Sequence, residues 1–401
     1  MSDLVESLKK GVSMLKRRDD DMFDRLSNRY TIGLIVVSSL FLVTKTYVGD
    51  PIDCFTPKEF HDNWIKYADN YCWIKNTYYI APDANLPGPV NLASPDHSSA
   101  RHQELPYYQW VPIILGFMIL VIAIPAYFWK FAMATSGYDV EAITKVACSA
   151  DNLNPATRDD TNKYLVEQLD RHITYHRHLG SSTKIPLGNK YGRYLFFMYL
   201  ITKLLYIAAP IALIFMLQLM MGDGYADYGY RALQTLMKDD GAYLENPMFP
   251  RITYCDFAVR RMGSNIQRYT LQCVLTVNLF NEKIFLVIWW WLVIVAALSI
   301  LGLLVWLIKT LRPGAGKNFI LKYLNIMRVV DVDSHSDMHD VDVFIGQYLC
   351  LDGVFCMRLI AQNTTDVVAG EIITELYKKW KKHHSGKEDF NPESKSLNSD
   401  A

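Results

Sequence analysis

IFLVIWWWLVIVAALSILGLLVWLI, residues 284–308, runs for 25 residues without one charged side chain. A bilayer core about 30 Å thick needs about 20 helical residues at about 1.5 Å each. This stretch is long enough and apolar enough all round to cross one. The alternative is a buried core helix of a soluble protein, and 25 residues without a charge weigh against it. Working outward, three more blocks follow the same pattern. They are YTIGLIVVSSLFLVTKTY at 30–47, VPIILGFMILVIAIPAYFW at 111–129 and YLFFMYLITKLLYIAAPIALIFMLQLMM at 194–221. The only charges inside these blocks are Lys45 and Lys203.

The second block is entered through YYQWVP, residues 107–112. Rings with a polar tip favour the headgroup region. Tyr107, Tyr108 and Trp110, with Gln109, are therefore expected to anchor that interface. Val111 and Pro112 begin the helix, because proline is tolerated in a first turn whose N–H groups are unpaired anyway. Pro125 and Pro210 lie further inside their spans, either as packing kinks or as gating hinges.

Charge sets the orientation. Seven Lys or Arg residues from Lys9 to Arg29 precede the first span, and Lys309, Arg312, Lys317, Lys322 and Arg328 follow the fourth. The loop 48–106 has only four Lys or Arg against eight Asp or Glu. Positive charge marks the cytosolic side. The expected order is a cytosolic N-terminal segment 1–29, spans 30–47, 107–129, 194–221 and 284–308, outside loops 48–106 and 222–283, a cytosolic loop 130–193 and a cytosolic region 309–401. That region is expected to be helical, with a disordered polar tail from about 385. The N-terminal sequence lacks the short apolar core of a secretory signal.

Of seven cysteines, four fall in the outside loops: Cys54 and Cys72, then Cys255 and Cys273. Oxidising space favours disulfides there. Four cysteines allow three pairings, and the sequence does not choose among them. One glycosylation sequon exists, at Asn363, and this order places it inside.

The N-terminal segment is amphipathic. Leu4, Leu8, Gly11, Val12 and Leu15 share one side of a helical wheel, and Ser2, Glu6, Lys9, Ser13 and Arg17 the other. Two placements follow: folded into a pore entrance with the polar face toward ions, or lying on the inner leaflet. Lys45 likewise has two readings, snorkelling to headgroups or facing a pore, with Asp50 and Asp53 close by to offset it.

Enzyme signatures are missing: there is no nucleotide-binding loop, nucleophile elbow or zinc motif. His172 and His176 stand four apart but lack a third ligand. DVDSHSDMHDVD at 331–342 lacks the turn glycine and bidentate glutamate of a calcium loop. No metal, cofactor or nucleic-acid partner is expected. A weak acid-sensing role for His172, His176 and His178 remains as an expectation.

YYQWVP resembles the signature of the innexins, the invertebrate gap-junction proteins, and the likeness is much wider than six residues. DDDMFDRLSNRYT at 19–31, GDPIDCFTPKEFHDNWIKYADNYC at 49–72, FPRITYCDFAVRRMG at 249–263 and YTLQCVLTVNLFNEKIFLVIWWW at 269–291 resemble the same family. The likeness covers about residues 19–135 and 245–310. Phe55 stands where the family often has tryptophan, and the stretch 82–104 is an added polar excursion.

The resemblance implies an all-α membrane protein, a four-helix bundle with disulfide-linked extracellular loops and a helical cytosolic domain. It implies pairing of Cys54 with Cys273 and Cys72 with Cys255; two local bridges within the loops are the alternative left by the residues alone. It implies homo-oligomeric rings, of eight subunits or mixed with other innexins, held among membrane lipids and docked to an opposing ring on the adjacent cell. The expected function is a gap-junction channel passing ions and small molecules. The alternatives are an undocked, pannexin-like hemichannel and a non-channel adhesion protein.

Overall fold

The structure is a computed structural model. It describes residues 20–80, 104–136, 140–148, 155–179, 192–222, 224–237, 248–261, 263, 265–331 and 333–388. The chain forms two compact units. One comprises residues 30–123 and 207–297, and the other residues 1–29, 124–206 and 298–401.

The long helices follow the apolar blocks. They are α1 (Met22–Tyr47), α3 (Val111–Ser136), α6 (Tyr194–Met221) and α8 (Thr276–Leu311). Each extends past its apolar block at one or both ends, except α6, because helix hydrogen bonding does not stop where hydropathy does. The 36 residues of α8 give a length of about 54 Å. α3 and α6 run unbroken through Pro125 and Pro210.

In the first unit the outside loops add structure that the apolar blocks do not announce. β1 (Asp53–Phe55), α2 (Asp62–Lys75), β2 (Thr77–Tyr78) and β3 (Glu104–Leu105) come from the first loop. α7 (Tyr228–Met237), β4 (Ile252–Arg261) and β5 (Asn265–Val274) come from the second. The strands form one antiparallel sheet in the order β1-β5-β4-β2-β3. The expectation of an all-α chain is therefore corrected: the chain is mostly helical, with a five-stranded sheet. The reason is legible in β4, where Thr253, Cys255 and Phe257 are buried and alternate with less buried neighbours, the period of a half-covered strand. Cys54 faces Cys273, and β4 and β5 pair over ten positions from Ile252–Val274 to Arg261–Asn265. Gly263, at φ +82°, lies between the two strands, where the left-handed region suits glycine.

The second unit packs the ends of the long helices with α4 (Val140–Ala147), α5 (Pro155–Leu179), α9 (Ala315–Ile326), α10 (His335–Val343), α11 (Cys350–Asn363) and α12 (Asp366–Glu388). Trp129, Tyr199, Trp306 and Phe355 form its aromatic centre, with Tyr199 about equally close to all three partners, at 5.0, 5.0 and 4.9 Å between ring centroids. Such tilted and edge-on pairs add to the burial of the rings.

A fifth stretch, His335–Asn363, is also long and apolar enough to cross a membrane. It differs from the other four in packing. Of its most apolar window 67% is buried inside the protein, against 28–39% for the others. A π-helical turn at Phe344–Leu349 and a positive φ at Cys350 interrupt it.

Candidate docking surface and channel elements

The sheet gathers the four outside cysteines. Cys54 on β1 bonds Cys273 on β5, its partner in the strand register. Cys72, wholly buried on α2, bonds Cys255 on β4. Each bridge joins one loop to the other, across 219 and 183 residues of chain. α2 is held over the sheet by rings as well: Tyr67 and Tyr71, with Phe60 just before the helix, lie against Phe257 at 5.8, 5.3 and 6.2 Å. Asp69 accepts a hydrogen bond from the Cys54 N–H at 3.0 Å. Burial raises the Asp69 carboxyl above the usual carboxylate range; that N–H opposes the rise, and Asp53 and Asp50 add to it.

YYQWVP connects this cap to α3. Tyr107 and Tyr108 differ from the expected headgroup anchors, because both are buried in protein. The Tyr107 hydroxyl donates to the Met248 carbonyl at 2.8 Å and Tyr108 to the Trp73 carbonyl at 3.2 Å. Gln109 donates to the Trp73 carbonyl and to Asn76 Oδ1. The polar tips are thus paired within the protein, with the Met248 carbonyl, the Trp73 carbonyl in the last turn of α2 and the Asn76 side chain. Trp110 alone among the rings stays exposed, at 57%. Val111 is buried and Pro112 sits in the first helical turn.

Lys45 lies partly exposed in the last turn of α1, with its stem packed beside Gly49. Asp50 is exposed, and its carbonyl accepts the Thr276 hydroxyl at 2.7 Å. The structure does not bring Lys45 and Asp50 into an ion pair. Ser2, Glu6, Lys9, Ser13 and Arg17 lie outside the described residues, as do the side chains of His172, His176 and His178.

Sequence reasoning left Lys203 without a role. In the second unit it is buried and reaches Asp24 at 2.7 Å and Asp21 at 3.4 Å. Asp24 also accepts from the Tyr199 hydroxyl at 3.0 Å, and Asp21 from the Trp306 indole at 2.9 Å. A lone lysine inside an apolar block was the available signal, since such a charge needs a partner. DDDMFD offers the acids. Asn363 of the sequon is engaged too: Arg25 donates to its oxygen, and its nitrogen donates to the Leu359 carbonyl.

The Innexin family model matches residues 20–380. Innexin unc-9 of Caenorhabditis elegans is 31% identical over 376 residues, covering 92% of this chain and 94% of the relative. Innexin-11 of the same organism is 30% identical over 372 residues, covering 90% of this chain and 79% of the relative. The segment with Asp21, Asp24, the four bridged cysteines, YYQWVP and Lys203 all lie within the matched range, and the chain belongs to the innexin family, whose members form gap-junction channels in the plasma membrane.

Proposed function

We propose that this chain is the subunit of a gap-junction channel in which rings of subunits dock across two plasma membranes and pass ions and small molecules. The observation that supports it most is the cap: both outside loops contribute to one sheet, and two disulfides tie them together. A surface fixed before contact avoids an ordering cost on binding. Phe55 on β1 and Ile266 on β5 offer it exposed apolar side chains.

The spans in this reading are α1, α3, α6 and α8, with both termini cytosolic. The stretch His335–Asn363 belongs to the cytosolic part. Its window is two-thirds buried in protein, and it carries Asp337, Asp340, Asp342, Asp352 and Arg358, which lipid would not accommodate. Of the two placements of the N-terminal segment, this reading takes the pore entrance rather than the inner leaflet; Ser2, Glu6, Lys9, Ser13 and Arg17 lie outside the described residues. Lys45 and Asp50 stand at the outer mouth, and Pro125 and Pro210 are points where the spans flex. The ring is homo-oligomeric, with eight subunits as the family resemblance implies.

Junctional conductance between paired cells, both expressing only this chain, tests the proposal. Current between the cells supports it. Current across the unpaired surface membrane, with none between cells, replaces it by the undocked channel. Silence in both, with the protein at the surface, favours adhesion without a pore.

A further inference from the structure

At the end of α8 the second unit contains a cavity of about 580 Å³. Lys309, Arg312 and Arg358 line it, together with Phe319, Tyr323 and Asp366. Arg358 is 9% exposed. Its two terminal nitrogens donate to the carbonyls of Lys309 and Ala315, and its guanidinium lies 5.1 Å from the Phe319 ring centroid. These contacts fix the Arg358 guanidinium in the cavity wall. Its Nε–H has no hydrogen-bond partner among the described residues.

The rest of the lining points to a negative acceptor. Lys309 and Arg312 are exposed, and neither side chain has a partner among the described residues. Asp366 is the one carboxylate in the lining, and the Tyr323 hydroxyl donates to it at 2.7 Å. Three cations therefore face one acid that is already engaged. The approach to the cavity is apolar. Leu301, Leu304 and Ile308 are 50%, 48% and 65% exposed, and their spacing puts them on one face of α8.

An apolar stripe that ends in a basic cavity matches a molecule with acyl chains and a charged head. We propose that this cavity holds the phosphate headgroup of an anionic phospholipid, with the acyl chains along Leu301, Leu304 and Ile308. Free phosphate uses the cations but not the stripe. The inference rests on α8 crossing the bilayer; it does not depend on docking.

The test uses the full chain in phosphatidylcholine nanodiscs, titrated with a fluorescent short-chain phosphatidylinositol bisphosphate. Arg358 is left intact because it holds the backbone. Lys309→Gln with Arg312→Gln is expected to weaken binding about ten-fold or more, from the loss of two charges near the bilayer surface. Lys163→Gln, an exposed change on α5, is expected to leave it unaltered. Soluble inositol trisphosphate is expected to compete poorly. Equal binding by the double variant, an equal loss with Lys163→Gln, or displacement by inositol trisphosphate at matched concentration each overturns the inference. A chain that enters the nanodisc and binds no lipid overturns it alone; a chain that does not enter overturns the span reading as well.

Discussion

Lys203 Nζ lies 2.7 Å from Asp24 Oδ1, and neither side chain is more than 4% exposed. The pair joins α6 to the first turn of α1, and Tyr199 closes over both. Removing one member leaves the other charge buried without its partner, which typically costs about 3–5 kcal/mol. Lys203→Met is therefore expected to lower the thermal stability of the purified protein sharply. Lys203→Met with Asp24→Asn is expected to recover part of the loss, since the second change removes the orphaned charge. Unfolding midpoints for the two single variants and the double variant measure this. A double variant as unstable as the sum of its singles would show that the two residues do not act as a pair.

The long helices were legible because hydropathy over some 20 residues outweighs local detail. The outside cap was less so. β1, β2 and β3 are only two or three residues long, and β4 and β5 mix polar and apolar residues on both faces. The pairings of β1 with β5 and of β2 with β4 are decided by partners on the other loop. Tyr107 and Tyr108 show the same limit. A tyrosine at a span end suits a headgroup layer or a protein carbonyl equally well, and only the position of Met248 and Trp73 decides. Lys203 was visible as an anomaly, while its acids lay 179 and 182 residues away. His335–Asn363 shows why hydropathy alone misleads: an apolar window within it meets the length and hydropathy of a span, yet 67% of that window is buried in protein.

The two bridges carry a distinct expectation. Each closes a very long chain loop, and such links typically contribute about 2–4 kcal/mol by restraining the unfolded chain. Cys72→Ser with Cys255→Ser removes the bridge between α2 and β4 while leaving the β1–β5 ladder paired. Non-reduced peptide mapping of this variant should still recover Cys54 joined to Cys273, and the unfolding midpoint should fall. Recovery of Cys54 joined to Cys72 from the unaltered protein would contradict the pairing.

Asp170 makes a pH-dependent contact within the second unit. Burial opposes its ionisation, but the Tyr348 hydroxyl and the Lys379 ammonium at 2.9 Å outweigh burial and hold its carboxyl below the usual range. A carboxylate whose folded pKa is depressed stabilises the fold above its unfolded value of about 3.9. That stability is lost as pH falls through the folded value. Asp170→Asn should therefore be less stable than the unaltered protein at pH 7, by about 1 kcal/mol. The gap should close as the pH drops below about 4. A gap that stays constant across this range would mean that the charge on Asp170 contributes nothing.

Gly229 stands in the first turn of α7, where a methyl group would run into the Trp289 ring at Cε3. That ring cannot retreat freely. It is 7% exposed, and its Nε1–H donates to the Ala226 carbonyl at 3.1 Å. Gly229→Ala must therefore push α7 away from α8 or break the indole hydrogen bond. Overpacking of this kind usually costs about 1–3 kcal/mol, more than the helical preference of alanine returns. The position matters for the cap, because α7 is followed in the same loop by β4, which carries Cys255. Trp289→Leu alone should also destabilise, by leaving a cavity. The two changes together should cost less than their sum, because the smaller side chain admits the added methyl group. Thermal unfolding of the four proteins measures that coupling. Strict additivity would show that the close approach of Gly229 to Trp289 does not govern this packing.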